Sequence, residues 1–137
     1  MFPDIEKLDS LSADVDYRTL SGLSLAFIGD AVYELFIRAH IVKNSNTSAN
    51  MLHKKAVVYV KADAQCEAYD KIEPYLTEEE IKIFKRGRNS KVNTKAKNAS
   101  LAAYKKATGF ETLVGWLYIK GENERLNELF KIATDFE

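Results

Sequence analysis

The sequence predicts an all-α protein. Apolar residues recur with a helical period along almost the whole 137-residue chain, only two prolines interrupt it, and no stretch alternates as a strand would. Helix-start signals fall where the periodic segments begin. Residues 1–17 are acidic and irregular, an N-terminal arm or short first helix. A long apolar helix is expected from about Thr19 to Val42, ending in the polar turn Lys43-Asn-Ser-Asn-Thr-Ser48.

Thr47 or Ser48 can cap the next helix, on which Leu52, Ala56, Val57, Val60, Ala64 and Ala68 share a face and which stops near Pro74. Thr77-Glu-Glu-Glu80 has the form of a capping box and opens a short helix, with Gly87 as its expected C-terminal cap. A polar basic stretch from Arg88 to Lys97 follows, its one apolar anchor being Val92. Asn98 is positioned to cap a helix from about Ala99 to Ile119. After Gly121 a last amphipathic helix uses Leu126, Leu129, Phe130 and Ala133. One domain covering residues 1–137 is the expected organisation.

Two carboxylates break this apolar pattern. Asp30 sits inside the run from Leu23 to Ile37, and Glu111 inside the run from Thr108 to Ile119. An isolated charge in apolar surroundings is costly, so each is expected to be paired, protonated or bound to a cation. Each also has a glycine on hand: Gly29 adjoins Asp30, and Gly115 lies one turn after Glu111 on the same face. Glycine inside a helix costs about 1 kcal/mol against alanine and marks close backbone approach. If Gly29 and Gly115 face each other, the helices cross tightly and the carboxylates converge on a cation site.

Composition narrows the function classes. A hydrophobic content of 46% excludes a disordered chain, and no apolar run reaches the roughly 20 residues of a bilayer span. No secretory signal is visible at the start, and the single cysteine, Cys66, fits a reducing cytoplasm and reads as a half-buried helix residue. The formal net charge of zero hides a polarity. Nine basic residues and no acidic one lie between Lys82 and Lys106, leaving 11 basic against 20 acidic elsewhere. Such a concentration suits phosphates, although a solvated basic loop is the plain alternative. His40 and His53 are too far apart for a zinc pair on one helix.

Several stretches together resemble a known family. Phe27-Ile-Gly-Asp-Ala-Val-Tyr-Glu34 is similar to the signature of the ribonuclease III catalytic domain, and Phe110-Glu-Thr-Leu-Val-Gly-Trp-Leu-Tyr118 to its second acidic motif. Leu52-His-Lys-Lys-Ala-Val57 and Arg86-Gly-Arg-Asn-Ser-Lys91 resemble the short bacterial branch, Mini-ribonuclease III, which consists of the catalytic domain alone. The resemblance implies a magnesium-dependent endonuclease for double-stranded RNA that works as a homodimer and leaves 5′-phosphate and 3′-hydroxyl ends. It further implies maturation of the large-subunit (23S) ribosomal RNA precursor, with a ribosomal protein as a further partner where the RNA must first be shaped. With the chain ending at Glu137, the separate RNA-binding domain of the larger enzymes is expected to be absent.

By motif position, Asp30 and Glu111 are the implied catalytic and metal-binding carboxylates. Two further carboxylates of the larger enzymes correspond here to Ala26 and Thr108. The reduction to two leaves metal number open, and it also leaves a second class of function, a non-catalytic helical RNA-binding or ribosome-assembly factor. Phe27 corresponds to the aromatic residue that docks into the partner subunit, against ordinary core packing. Ile28, Val32, Leu35 and Trp116 fit core or interface equally. Glu34, one turn after Asp30, has two readings, a carboxylate that binds an outer-shell water of the metal or an i,i+4 pair with Arg38. Arg86, Arg88, Lys91, Lys95 and Lys97, with His53 and Lys54, are the candidate RNA contacts.

Overall fold

The computed structural model describes residues 4–13, 15–91 and 100–136. Six α-helices follow a 3-10 segment at Ile5–Ala13: α1 Gly22–Asn44, α2 Ala49–Val60, α3 Ala62–Ile72, α4 Glu78–Arg88, α5 Leu101–Lys120 and α6 Asn123–Thr134. No strand occurs among the described residues. The all-α expectation holds.

The central element is α5, on which 11 of 20 residues are buried. A helix apolar all round has to be enclosed, and α1, α3, α4 and α6 all pack on it. Leu25, Tyr33, Ile37 and Ile41 of α1 meet Phe110, Leu113, Val114 and Leu117 of α5 in one core. The Tyr33 ring stands edge-on to Phe110, 5.0 Å away, and to Phe130 of α6 at 5.4 Å. The last helix buries Leu126, Leu129, Phe130 and Ala133 as its period predicts.

Side chains close the helix ends. Ser21 accepts from the Ser24 amide at 3.1 Å, Ser48 from Met51 at 3.3 Å and Ser100 from Ala103 at 3.1 Å. Thr77 and Glu80 form the expected reciprocal box, and the same Glu80 carboxylate takes two hydrogen bonds from Arg125 at 2.8 and 2.9 Å. That pair, a buried Glu80 and a half-buried Arg125, ties the start of α6 to the start of α4. Gly121 ends α5 in the left-handed region at φ 81°, where glycine pays no Cβ penalty.

Three local expectations are corrected. The helix anticipated from residue 49 to Pro74 breaks at Lys61, whose backbone is extended at φ −66°, ψ 157°. The weak helix formers Val57, Val58, Tyr59 and Val60 precede the break, and its two halves serve different neighbours, α2 packing on α1 and α3 on α5 and α6. Gly87 is not a cap, since α4 continues to Arg88 and Asn89 caps it. Gly87 is small because a Cβ there would lie 2.0 Å from the Thr112 hydroxyl. Helix α5 starts at Leu101 under Ser100, whereas Val92 and Asn98 lie outside the described residues.

Candidate active site

The crossing of α1 and α5 is set by glycine on both helices. A Cβ built on Gly29 would lie 1.8 Å from the Glu111 carbonyl oxygen, and one built on Gly115 would lie 1.9 Å from the Leu25 carbonyl oxygen. Real side chains never approach so closely, so only glycine permits this crossing. Gly29 and Gly115 do face each other, the Gly29 amide nitrogen being 3.1 Å from the Gly115 Cβ position. Asp30 and Glu111 therefore spring from backbones in contact.

Their environments differ. Glu111 is half-buried, and its carboxyl is pushed up to about 9 by that burial, then by the hydrogen bond and charge it shares with Asp30, with Glu34 adding repulsion. The polar Gln65 side chain of α3 opposes the rise. Asp30 itself is exposed rather than enclosed by its apolar neighbours, a correction to the sequence reading. The carboxylates thus share one locus at the molecular surface, where Glu111 carries its charge at neutral pH only if a positive group joins it.

Glu34 is one turn after Asp30 and pairs with Arg38 at 2.6 Å, so the i,i+4 reading describes its geometry. Ala26 and Thr108 are buried, and the Thr108 hydroxyl donates back to the Tyr104 carbonyl at 3.0 Å. Among the described residues no group of three or more His, Cys, Asp or Glu gathers as a metal site. The acidic centre is the pair Asp30 and Glu111.

The basic candidates separate. Arg86 donates to the Leu20 carbonyl, which ties the end of α4 to the approach into α1. Arg88 lies over the Phe84 ring with its guanidinium carbon 5.7 Å from the centroid, and its Nε donates to Asn89 at 3.2 Å. Lys91 is exposed, as are His53 and Lys54 on α2. Lys95 and Lys97 lie outside the described residues. Phe27 is 80% exposed and so is not core, and Leu23, Leu35 and Val42 share the uncovered side of α1. Trp116 resolves the other way: it is buried, with Lys120 Nζ 4.1 Å from its ring centroid. Ile28 and Val32 are partly buried against the core.

The sequence reading passed over Gln65. It is 3% exposed and stands on the buried face of α3 with Ala68, Tyr69 and Ile72. A glutamine one turn before apolar positions was the available signal.

Fold and paired carboxylates together define an endoribonuclease domain: the Ribonuclease III domain pattern matches residues 23–122, and the chain belongs to the ribonuclease III family. Its branch is Mini-ribonuclease 3. The Mini-ribonuclease 3 of Clostridium tetani is 57% identical over 121 residues, which span 88% of this chain and 80% of that protein. That of Thermoanaerobacter is 52% identical over 116 residues, spanning 85% and 82%. A crystal structure of a Fusobacterium nucleatum protein superposes with a TM-score of 0.78 at 36% identity, covering 85% of this chain and 90% of that one. Among the described residues no helix is long and apolar enough to cross a membrane.

Proposed function

We propose that the protein cleaves double-stranded RNA as a magnesium-dependent homodimer and matures the large-subunit (23S) ribosomal RNA precursor. The observation that carries the reading is the crossing that brings Asp30 and Glu111 to one surface locus, where burial and mutual repulsion leave Glu111 short of a positive charge. Hard divalent cations such as magnesium bind through one or two carboxylates, keep several waters and take substrate phosphate oxygens. This donor set fits that habit, with Asp30 and Glu111 as ligands. When bound there, magnesium supplies Lewis acidity and a water of lowered pKa, chemistry that ends in 5′-phosphate and 3′-hydroxyl products.

The chain's own residues supply placement. Glu111 is half-buried on α5, and Asp30, exposed on α1, is open to an incoming phosphodiester. Glu34, paired with Arg38 one turn after Asp30, adds negative charge to the surroundings of Glu111. A-form RNA offers a shallow minor groove and flanking phosphates, so recognition by shape and backbone suits the exposed Lys91, Lys54 and His53 and the half-buried Arg88. Lys95 and Lys97 continue the basic run in sequence.

The homodimer reading rests on the uncovered side of α1. Phe27 at 80% and Leu35 at 70% exposure, two turns apart, form an apolar stripe with Leu23 on a helix whose other side is core. A contiguous apolar stripe of this kind marks an interaction surface, and a twofold contact uses the same stripe on both copies. One site per subunit then addresses one strand each. The substrate test is cleavage of an end-labelled RNA duplex beside its separated strands, with magnesium and with chelator. Magnesium-dependent cuts confined to the duplex are expected, and equal cutting of single strands would overturn the substrate assignment.

A further inference from the structure

We propose that Thr112 is a positioning residue that sets where the duplex is cut, its buried hydroxyl pinning the basic end of α4 at a fixed reach from the carboxylate pair. The inference rests on the readings of Glu111 as a ligand and of Arg88 and Lys91 as phosphate contacts. Thr112 follows Glu111 on α5 and is fully buried. Its hydroxyl shares one proton between two acceptors, the Thr108 carbonyl at 2.7 Å and the Gly22 carbonyl at 3.0 Å. The Thr108 bond is the i−4 bond open to any helical threonine and would satisfy the hydroxyl by itself. The Gly22 bond spans 90 residues of sequence and joins α5 to the first residue of α1.

The backbone of α4 closes on the same side chain. A Cβ on Gly87 would lie 2.0 Å from the Thr112 hydroxyl oxygen and 2.5 Å from its Cβ, so α4 rests its main chain against Thr112. A Cβ on Gly22 would in turn lie 3.1 Å from the Gly87 Cα and 3.1 Å from the Arg86 carbonyl oxygen. Three helices therefore meet at main-chain distance around one threonine. Arg86 adds its bond to the Leu20 carbonyl, and Ser90 closes the end of α4 by donating to the Arg86 carbonyl at 2.9 Å. Arg88 and Lys91 follow Gly87 by one and four residues, and Glu111 precedes Thr112 by one. Contacts this close transmit a shift of one element to its neighbours. The junction thus fixes the reach from a gripped phosphate to the cleaved one.

The test maps cleavage of an end-labelled duplex of defined sequence to the nucleotide, in magnesium, for Thr112→Val and Thr112→Ser. Valine keeps the shape and removes the donor, whereas serine keeps the donor. Thr112→Val should spread the cuts over neighbouring positions and lower kcat about ten-fold. Its KM for the duplex should stay, as should the magnesium affinity of the RNA-free protein, read by titration calorimetry. Thr112→Ser should keep the wild-type cut positions. Wild-type cut positions and kcat in Thr112→Val would overturn the proposal, as would equal spreading in Thr112→Ser. Loss of magnesium affinity or of a cooperative melt in Thr112→Val would assign the hydroxyl to the fold and overturn it equally. Wild-type turnover in Glu111→Gln, or an unchanged salt slope in Arg88→Ala with Lys91→Ala, sinks the readings beneath it. Impairment of both beside an unaffected Thr112→Val sinks only this inference.

Discussion

Adding one methyl group at Gly29 tests how the site is assembled. In Gly29→Ala the new Cβ would meet the Glu111 carbonyl oxygen at 1.8 Å and the Gly115 amide nitrogen at 2.8 Å, whereas ordinary contact begins near 3.4 Å. Both obstacles are backbone, so α1 and α5 must part by roughly 1.5 Å at their crossing, enough to forfeit more than half of the dispersion attraction there. Overpacking costs about 1–3 kcal/mol, and rigid backbone puts this case near the top. The helix propensity of alanine offsets about 1 kcal/mol. The net loss is about 2 kcal/mol, which for a domain of this size lowers the melting midpoint by about 8 °C. Catalysis should suffer more than stability. The same parting moves Glu111 from Asp30, and a misplacement of about 1 Å costs on the order of a hundred-fold in rate. Thermal melts, with duplex cleavage assayed well below both midpoints, separate the two effects. A variant that melts within about a degree of wild type and cleaves at the wild-type rate would refute the claim that this crossing positions the carboxylates.

Other perturbations probe the remaining parts. Phe27→Ala should shift the sedimentation profile toward monomer; two symmetry-related rings at about 2 kcal/mol each weaken association by about a thousand-fold, and a tight dimer in the variant would move the interface elsewhere. Arg88→Ala with Lys91→Ala should reduce the slope of log affinity against log salt by about one to two, while an unchanged slope would clear these residues of phosphate contact. The Glu111 carboxyl, at about 9 against an ordinary 4.5, binds its proton more tightly in the folded than in the unfolded chain. Its contribution to stability is complete below the unfolded value and is lost as pH rises through the folded one. In chelator, the melting midpoint should fall between pH 5 and 9, and this dependence should be weaker in Glu111→Gln and in magnesium. An identical pH profile in wild type and Glu111→Gln would refute the environment assigned to this carboxyl.

How far the site was legible in the sequence follows from what kind of contact built it. The Gly29 and Gly115 crossing could be read because glycine inside an apolar helix has few reasons to be there, and each lies next to, or one turn from, an out-of-place acid. Asp30 misled in one respect. The apolar neighbours taken as its burial include Phe27 and Leu35, which are themselves exposed, because α1 carries one apolar face for the core and another left uncovered. A run that is apolar on both sides does not tell which side is inside. The break at Lys61 was invisible because alanines and valines continue across it, and only packing on different neighbours decides it. Arg86 and Leu20 are far apart in the chain, so their contact exists only once the helices are placed. Arg86 illustrates the limit of charge counting: one cation of the basic run is engaged by a backbone carbonyl.

The central claim is that Asp30 and Glu111 together form the catalytic centre. Its most direct test is cleavage of a long end-labelled RNA duplex in magnesium by the wild type, Asp30→Asn and Glu111→Gln, each verified by circular dichroism and by RNA binding. The account predicts cuts by the wild type and none by either variant, with fold and binding retained. Wild-type cleavage by either variant would contradict it.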